Sequence, residues 1–171
     1  MIICASASAN VRRAQDMISL SSLKTLITNC AADSQSKEEK AKLAAVALLI
    51  RVATADRDMS EAKRKGLHAV VKAGFELDDA GAAQLIEEGC AAERKSIDLY
   101  QFTRQIKDAF DEEGRRRVVQ MMWDTAYLEG GLNGFEANVI WRAADLLGVS
   151  TRQRVEMRQQ AAACRPIRAV G

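Results

Sequence analysis

The chain has 171 residues, enough to bury a hydrophobic core without disulfides or metal ions. Apolar residues make up 48% of the sequence and charged residues 28%, as in a typical soluble globular protein. The formal net charge of +2 argues against a nucleic-acid binder. A single proline, Pro166, in a sequence rich in alanine, glutamate, arginine and leucine favours an all-α fold.

The cysteines and the hydropathy pattern bear on the cellular compartment. The four cysteines are far apart and never in C-x-x-C spacing, which disfavours zinc sites and redox motifs: Cys4, Cys30, Cys90 and Cys164. The sequence shows no signal-peptide pattern and no apolar run of about 20 residues. We therefore predict reduced thiols, a cytoplasmic location and no stable membrane insertion.

The N-terminal part is predicted to be separate from the main domain. Residues 1–15 show no pattern and are expected to be disordered, and an amphipathic helix begins near Met17. Polar residues 32–36 are predicted to end that helix, and Ser36 with Glu39 reads as a capping box that begins the next. The predicted organisation is an extension over residues 1–35, a helical domain over 36–164 and a tail over 165–171.

Seven helices are predicted after the N-terminal one. The first carries apolar residues from Leu43 to Ala53 and is expected to be almost fully buried. Glycines Gly74 and Gly148 are predicted to end the second and sixth. The predicted starts of the later helices are Ser60, Asp78 or Asp79, Ser96 or Asp98, Asn133 and Ser150, and the acidic residues 111–113 (DEE) are predicted to open the fifth helix.

Few residues suggest catalysis. His68, the only histidine, is expected to be structural, and no serine, cysteine or lysine has a base partner in a recognisable motif. Trp123, Phe135 and Trp141 are predicted to anchor the core, with an outward-facing role in a partner surface as the alternative for Trp141. We therefore predict that the protein is not an enzyme.

An internal repeat is predicted from two similar turns. Residues 56–60 (DRDMS) and 129–133 (EGGLN) each follow a long helix and place an acidic residue before an apolar residue and a helix cap. The pattern predicts a helical bundle of two pseudo-repeated halves, with the helix over residues 99–110 packed between them.

The acidic residues of these turns are candidate metal ligands. An EF-hand is excluded because Glu61 and Leu67 occupy its glycine and final acidic positions. If the two halves approach each other, their carboxylates form a site for a divalent cation such as calcium, magnesium or manganese. The predicted ligands are Asp56, Asp58, Glu61, Glu129 and Glu136.

A structural role remains open for several of these residues. Asn133 and Glu136 have the spacing of a capping box, and Glu61 lies in a first helical turn, where negative charge is favourable.

The sequence resembles the TerB-like domain of tellurite resistance proteins, which also occurs in membrane-anchored DnaJ-type co-chaperones. The resemblance covers about residues 43–160. It rests on residues 53–56 (ATAD) with Met59 and Ser60, on 96–102 (SIDLYQF), and on 128–132 (LEGGL) with Glu136. It implies an all-helical fold and, for the tellurite-resistance branch, an acidic metal-binding surface.

Two positions depart from the family pattern. Asp56 and Glu136 match its acidic positions and Glu129 conservatively replaces an aspartate, but Arg57 replaces a glycine and Lys63 replaces the glutamate of the first half. An added positive charge at each position should weaken a cation site there.

The sequence thus predicts a non-enzymatic stress-response module of the tellurite-resistance type that binds a divalent cation through Asp56, Asp58, Glu129 and Glu136. The alternative is a metal-free interaction or co-chaperone-like adaptor, in which the acidic turns only cap helices. Both predict a protein partner.

Overall fold

The computed structural model describes residues 20–55, 59–95 and 98–163. Within these residues it contains seven α-helices and no strand, which confirms the all-α prediction. The helices are α1 (Leu20–Ala53), α2 (Glu61–Phe75), α3 (Asp79–Lys95), α4 (Leu99–Ala109), α5 (Glu112–Ala126), α6 (Gly134–Leu146) and α7 (Thr151–Ala163). The predicted disorder of residues 1–15 and the predicted tail lie outside the described residues.

The predicted break between the first two helices is wrong. Helix α1 continues through residues 32–36, so Ser36 does not begin a helix and the described chain has one helix where two were expected. The polar residues at this position have only moderately low helix propensity, about 0.7 kcal/mol or less each relative to alanine, and neither proline nor glycine occurs within α1. The described residues up to Ser36 and those from Lys37 onwards belong to two separate compact units.

The core of the second unit is built on α1 and α5. Residues 44–50 of α1 are all buried, which confirms the predicted central helix. Helix α5 packs against α2, α6 and α7, and its Trp123 is completely buried, as predicted. Trp141 of α6 is half-buried and meets Trp123 edge-on, with ring centroids 5.9 Å apart.

Phe135 was expected in this core, and that expectation is wrong. Its side chain is 70% exposed in the first turn of α6. The inward-facing residues of α6 are Glu136, Ile140, Ala143 and Ala144. At about 100° per residue, Phe135 lies away from the face that Ile140 and Ala144 define.

Helices α2 and α6 end in the same way, but α2 does not end at Gly74. Gly74 lies inside α2, which continues to Phe75, and Glu76 adopts a left-handed conformation with φ of 54°. After α6, Gly148 adopts the corresponding conformation with φ of 76°. Backbone N–H groups of the next residues, Leu77 and Val149, bond back to carbonyls five residues earlier, both at 3.0 Å.

Helix α4 packs against α6, and the Arg51 guanidinium of α1 lies 6.0 Å from the ring centre of Phe102. The predicted position of α4 between two pseudo-repeated halves stays a prediction, and so does the internal repeat.

Candidate functional site

The first part of the candidate site is the beginning of α2. Ser60 caps the helix as predicted, because its Oγ accepts a hydrogen bond from the backbone N–H of Lys63 at 3.0 Å. The same hydroxyl donates to Oε1 of Glu129, which lies in the turn after α5. Ser60 therefore connects the start of α2 to the second acidic turn.

The beginning of α6 has the predicted capping box. Asn133 Oδ1 accepts from the backbone N–H of Phe135, and Oε2 of Glu136 accepts from the backbone N–H of Asn133, both at 3.0 Å. Glu136 is 2% exposed. The structural role considered for Asn133 and Glu136 is therefore confirmed.

Lys63 joins these two helix starts. Its Nζ lies 3.2 Å from Oε1 of Glu136 and 3.8 Å from Oε2 of Glu129. Lys63 is 2% exposed, as buried as Glu136, whereas the Glu129 side chain is 37% exposed. A buried ammonium and a buried carboxylate are retained only when each neutralises the other, so this pair links α2 to α6 inside the protein.

Lys63 and Glu136 occupy the same position in their helices. Each is three residues after the N-cap, Ser60 in α2 and Asn133 in α6. The positive end of the helix dipole favours a carboxylate at this position and disfavours an ammonium. Lys63 is therefore unfavourable within its own helix, and its interactions with Glu136 and Glu129 offset that cost.

The carboxylates described at this site do not fit a divalent cation while Lys63 stays in place. All four carboxylate oxygens of Glu129 and Glu136 already face a donor or the ammonium: Ser60 Oγ, Asn133 N or Lys63 Nζ. Calcium requires about six to eight oxygen ligands, and magnesium an octahedral set. A cation here would have to displace a buried ammonium and leave it without these carboxylates.

The remaining predicted ligands are placed differently. The Glu61 side chain is 74% exposed and lies 4.0 Å from Lys65 in a loose i,i+4 ion pair. Asp56 and Asp58 lie outside the described residues. Within the described part of the chain, no group of three or more histidine, cysteine, aspartate or glutamate side chains is arranged to hold a metal ion.

The sequence carried a signal for the burial of Lys63 that our prediction did not use. We expected Lys63 to repel a cation, but not to contact the acidic residues itself. Lys63, Leu67 and Val71 are the buried residues of α2, and they follow each other at intervals of four. A lysine in register with a buried apolar stripe requires an acidic partner from elsewhere in the fold.

A half-buried carboxylate, Asp124, lies on α5. Oδ1 of Asp124 accepts a hydrogen bond from Nε2 of Gln120 at 2.9 Å. Burial raises the pKa of Asp124, and the Gln120 hydrogen bond only partly opposes this.

A groove next to the exposed Phe135 ring is the most apparent binding surface at this end of α6. We call it the Phe135 groove. It is lined by Arg51, Thr54, Ala55, Glu93, Gly134, Phe135, Asn138 and Val139. The Arg51 Nε donates to Oε1 of Glu93 at 3.3 Å, so an α1–α3 ion pair forms part of its wall.

His68 has a structural contact, because its Nε2 lies 3.1 Å from the backbone oxygen of Asp79. This places the ring between the middle of α2 and the start of α3.

The model of the tellurite resistance protein TerB family matches residues 42–159. The chain belongs to the TerB family. This confirms the resemblance, and with it a module of the tellurite-resistance type. No curated protein and no solved structure gives a significant match.

None of the described helices has a stretch that is both long and apolar enough to cross a bilayer.

Proposed function

We propose that this TerB-family chain is a metal-independent, non-enzymatic protein-interaction module that acts in a cytoplasmic stress response. The observation that carries the proposal is the buried Lys63 ammonium between Glu136 and Glu129. These two carboxylates belong to the predicted cation site, and here they are neutralised by the protein itself. The proposal therefore favours the adaptor over the cation-binding module.

The Phe135 groove is the proposed docking surface. Exposing a large aromatic ring to water is unfavourable, and aromatic side chains often form the energetic centre of protein interfaces. The Phe135 ring is 70% exposed beside backbone that leaves room for a partner: a Cβ at Gly134 would meet nothing within 4 Å. The partner is expected to place an apolar side chain against this ring, next to the Arg51–Glu93 ion pair.

The metal-independent part is tested by thermal unfolding. EDTA-stripped protein is titrated with calcium, magnesium, manganese and zinc, because binding to the native state raises Tm with ion concentration. We expect a flat response. A saturable rise that disappears in the E129Q/E136Q variant would contradict the proposal and restore the predicted cation site.

The docking part is tested by cross-linking in cells. Phe135→Ser is compared with the wild type and with Val155→Ser, a matched control because Val155 is also exposed, at 40%, but lies on α7. We expect at least one cross-linked partner that is lost in F135S and retained in V155S. Identical cross-linking patterns for the three proteins would contradict the use of this groove.

A further inference from the structure

The buried position of the Lys63 ammonium between the starts of α2 and α6 has a specific structural meaning. We infer that the Lys63 ammonium takes the place of a bound cation between the two helix starts, and that one charge reversal at this position creates a divalent-cation site. The inference rests on the metal-independent part of the proposed function and does not involve the Phe135 groove.

The position of the ammonium supports this inference. Nζ of Lys63 lies within 4 Å of carboxylates from two separate segments, Glu136 in α6 and Glu129 in the turn before it. A cation bound there would perform the same task, which is to neutralise both carboxylates and hold them near the start of α2. The ammonium performs it with a single covalently attached charge.

Residue 63 and Glu136 occupy equivalent helix positions, which explains why the identity of residue 63 decides whether a cation can bind. Residue 63 is the third residue after its N-cap, as Glu136 is in α6. A glutamate at position 63 would therefore suit its own helix start. It would also bring a third carboxylate to Glu129 and Glu136, and three mutually repelling carboxylates with the Ser60 hydroxyl nearby form a ligand set that hard cations prefer.

The same geometry makes the link between α2 and α6 independent of the cation concentration in solution. A bound cation dissociates when its concentration falls or when a chelator is present, whereas Lys63 cannot leave. The contact between α2 and α6 is therefore permanent in this chain, and calcium or magnesium does not regulate it.

The test is ion-dependent unfolding of Lys63→Glu and Lys63→Gln, with Lys72→Glu as the control. Lys72 also belongs to α2 and pairs with a carboxylate, Asp79, at 2.7 Å, but both side chains are largely exposed. In EDTA we expect K63E to have a much lower Tm than the wild type. Calcium, magnesium or manganese should raise it saturably by several degrees, and calorimetry should give about one ion per chain.

The controls locate the ion. The response of K63E should disappear in K63E/E136Q, and K72E should behave like the wild type. K63Q removes the ammonium without adding repulsion, so it should fold even if K63E does not and should show a weaker response to the same ion. If folded K63E, or K63Q where K63E does not fold, gives no ion response, the inference is wrong.

A measurement on the wild type separates this result from the proposed function. The Lys63 side-chain ammonium is observed by NMR in nitrogen-15-labelled protein, where a buried, ion-paired ammonium exchanges its protons slowly. We expect a slowly exchanging Lys63 signal that excess calcium does not shift. If the Tm of neither the wild type nor the Lys63 variants responds to added ions, the inference is wrong and the proposed function stays in place. Displacement of Lys63 by calcium in the wild type would contradict both.

Discussion

Helices α2 and α6 begin in the same local geometry but carry opposite charges at the third residue after the N-cap. In α6 that residue is Glu136, which completes a capping box with Asn133. In α2 it is Lys63, which cannot complete a capping box with Ser60 and carries a charge that is unfavourable at its own helix start. The comparison teaches that α6 satisfies this position within its own first turn, whereas α2 balances it with carboxylates from outside the helix, Glu136 and Glu129.

The largest expected effect comes from removing the ammonium from this pair. Lys63→Met leaves Glu136 buried without its opposite charge, and breaking a buried ion pair in this way costs about 3–5 kcal/mol of unfolding free energy. Urea unfolding of the wild type and K63M would measure the loss.

The double variant K63M/E136L sharpens the same comparison. Replacing both members of a buried pair by apolar residues is often nearly neutral, so we expect K63M/E136L to be more stable than K63M. Some loss relative to the wild type should remain, because Glu136 also accepts from the Asn133 N–H. Losses that simply add in the double variant would show that the two residues do not depend on each other.

The N-caps of α2 and α6 should also contribute unequally to the unfolding free energy, but by less than the Lys63–Glu136 pair does. Asn133→Ala removes a capping interaction worth about 0.5–2 kcal/mol. Ser60→Ala removes a comparable cap and also the hydrogen bond to Glu129, so we expect S60A to lose more unfolding free energy than N133A. The measurement is again urea unfolding of both variants.

A double-mutant cycle with Glu129→Ala checks the reason for that difference. If the Ser60–Glu129 bond contributes, E129A should cost less in the S60A background than in the wild type. Equal costs in both backgrounds would mean that Ser60 acts only as a helix cap.

The C-terminal ends of α2 and α6 offer a test in which two substitutions, Glu76→Gly and Gly148→Ala, should change stability in opposite directions. Left-handed backbone is unfavourable for residues other than glycine by about 1–2 kcal/mol, and Glu76 adopts it where α6 uses Gly148. Glu76→Gly should therefore stabilise the protein by up to about 1 kcal/mol, since the added flexibility of the unfolded chain offsets part of the gain.

Gly148→Ala should destabilise the protein by about 1 kcal/mol for the same reason. Nothing lies within 4 Å of a Cβ built at Gly148, so any loss would come from the backbone and not from a clash. Destabilisation by E76G in a thermal unfolding series would contradict the proposed strain at that helix end.

The features that the sequence predicted correctly are local ones. The caps at Ser60 and Asn133 follow from residues three or fewer positions apart, and the buried part of α1 follows from a dense apolar stripe. The break at residues 32–36 was wrong because polar residues only weaken a helix, whereas proline or glycine is usually needed to end one.

The features that the sequence did not predict depend on distant contacts. Gly74 reads as a helix end, but it lies inside α2, where a side chain at this position would collide with Met121 of α5. The pair between Lys63 and Glu136 joins residues 73 positions apart in sequence, so no local pattern specifies it. The exposure of Phe135 likewise depends on which face of α6 meets α5 and α4.

The smallest expected effect compares two carboxylates, the buried Glu136 with its ammonium and the half-buried Asp124 with an amide donor. Burial raises the pKa of Asp124, so its contribution to stability is fully present below the ordinary pKa and is lost as the pH rises through the raised pKa. Asp124→Asn keeps an oxygen that can accept the Gln120 hydrogen bond but has no charge to bury. We expect D124N to be slightly more stable than the wild type at neutral pH and equal to it in acid.

Asp79, an exposed carboxylate with a lysine partner, should contribute to stability with the opposite pH dependence. The Lys72 hydrogen bond lowers the pKa of Asp79, so the stability that Asp79 contributes is present above the ordinary pKa and is lost as the pH falls through the lowered one. Asp79→Asn should therefore be slightly less stable than the wild type at neutral pH, with a difference that shrinks in acid. Unfolding midpoints of both variants across this pH range test the comparison, because Asp79 faces a cationic side chain and Asp124 accepts from an amide. If D124N and D79N change stability in the same direction at neutral pH, the opposite signs assigned to Asp124 and Asp79 are wrong.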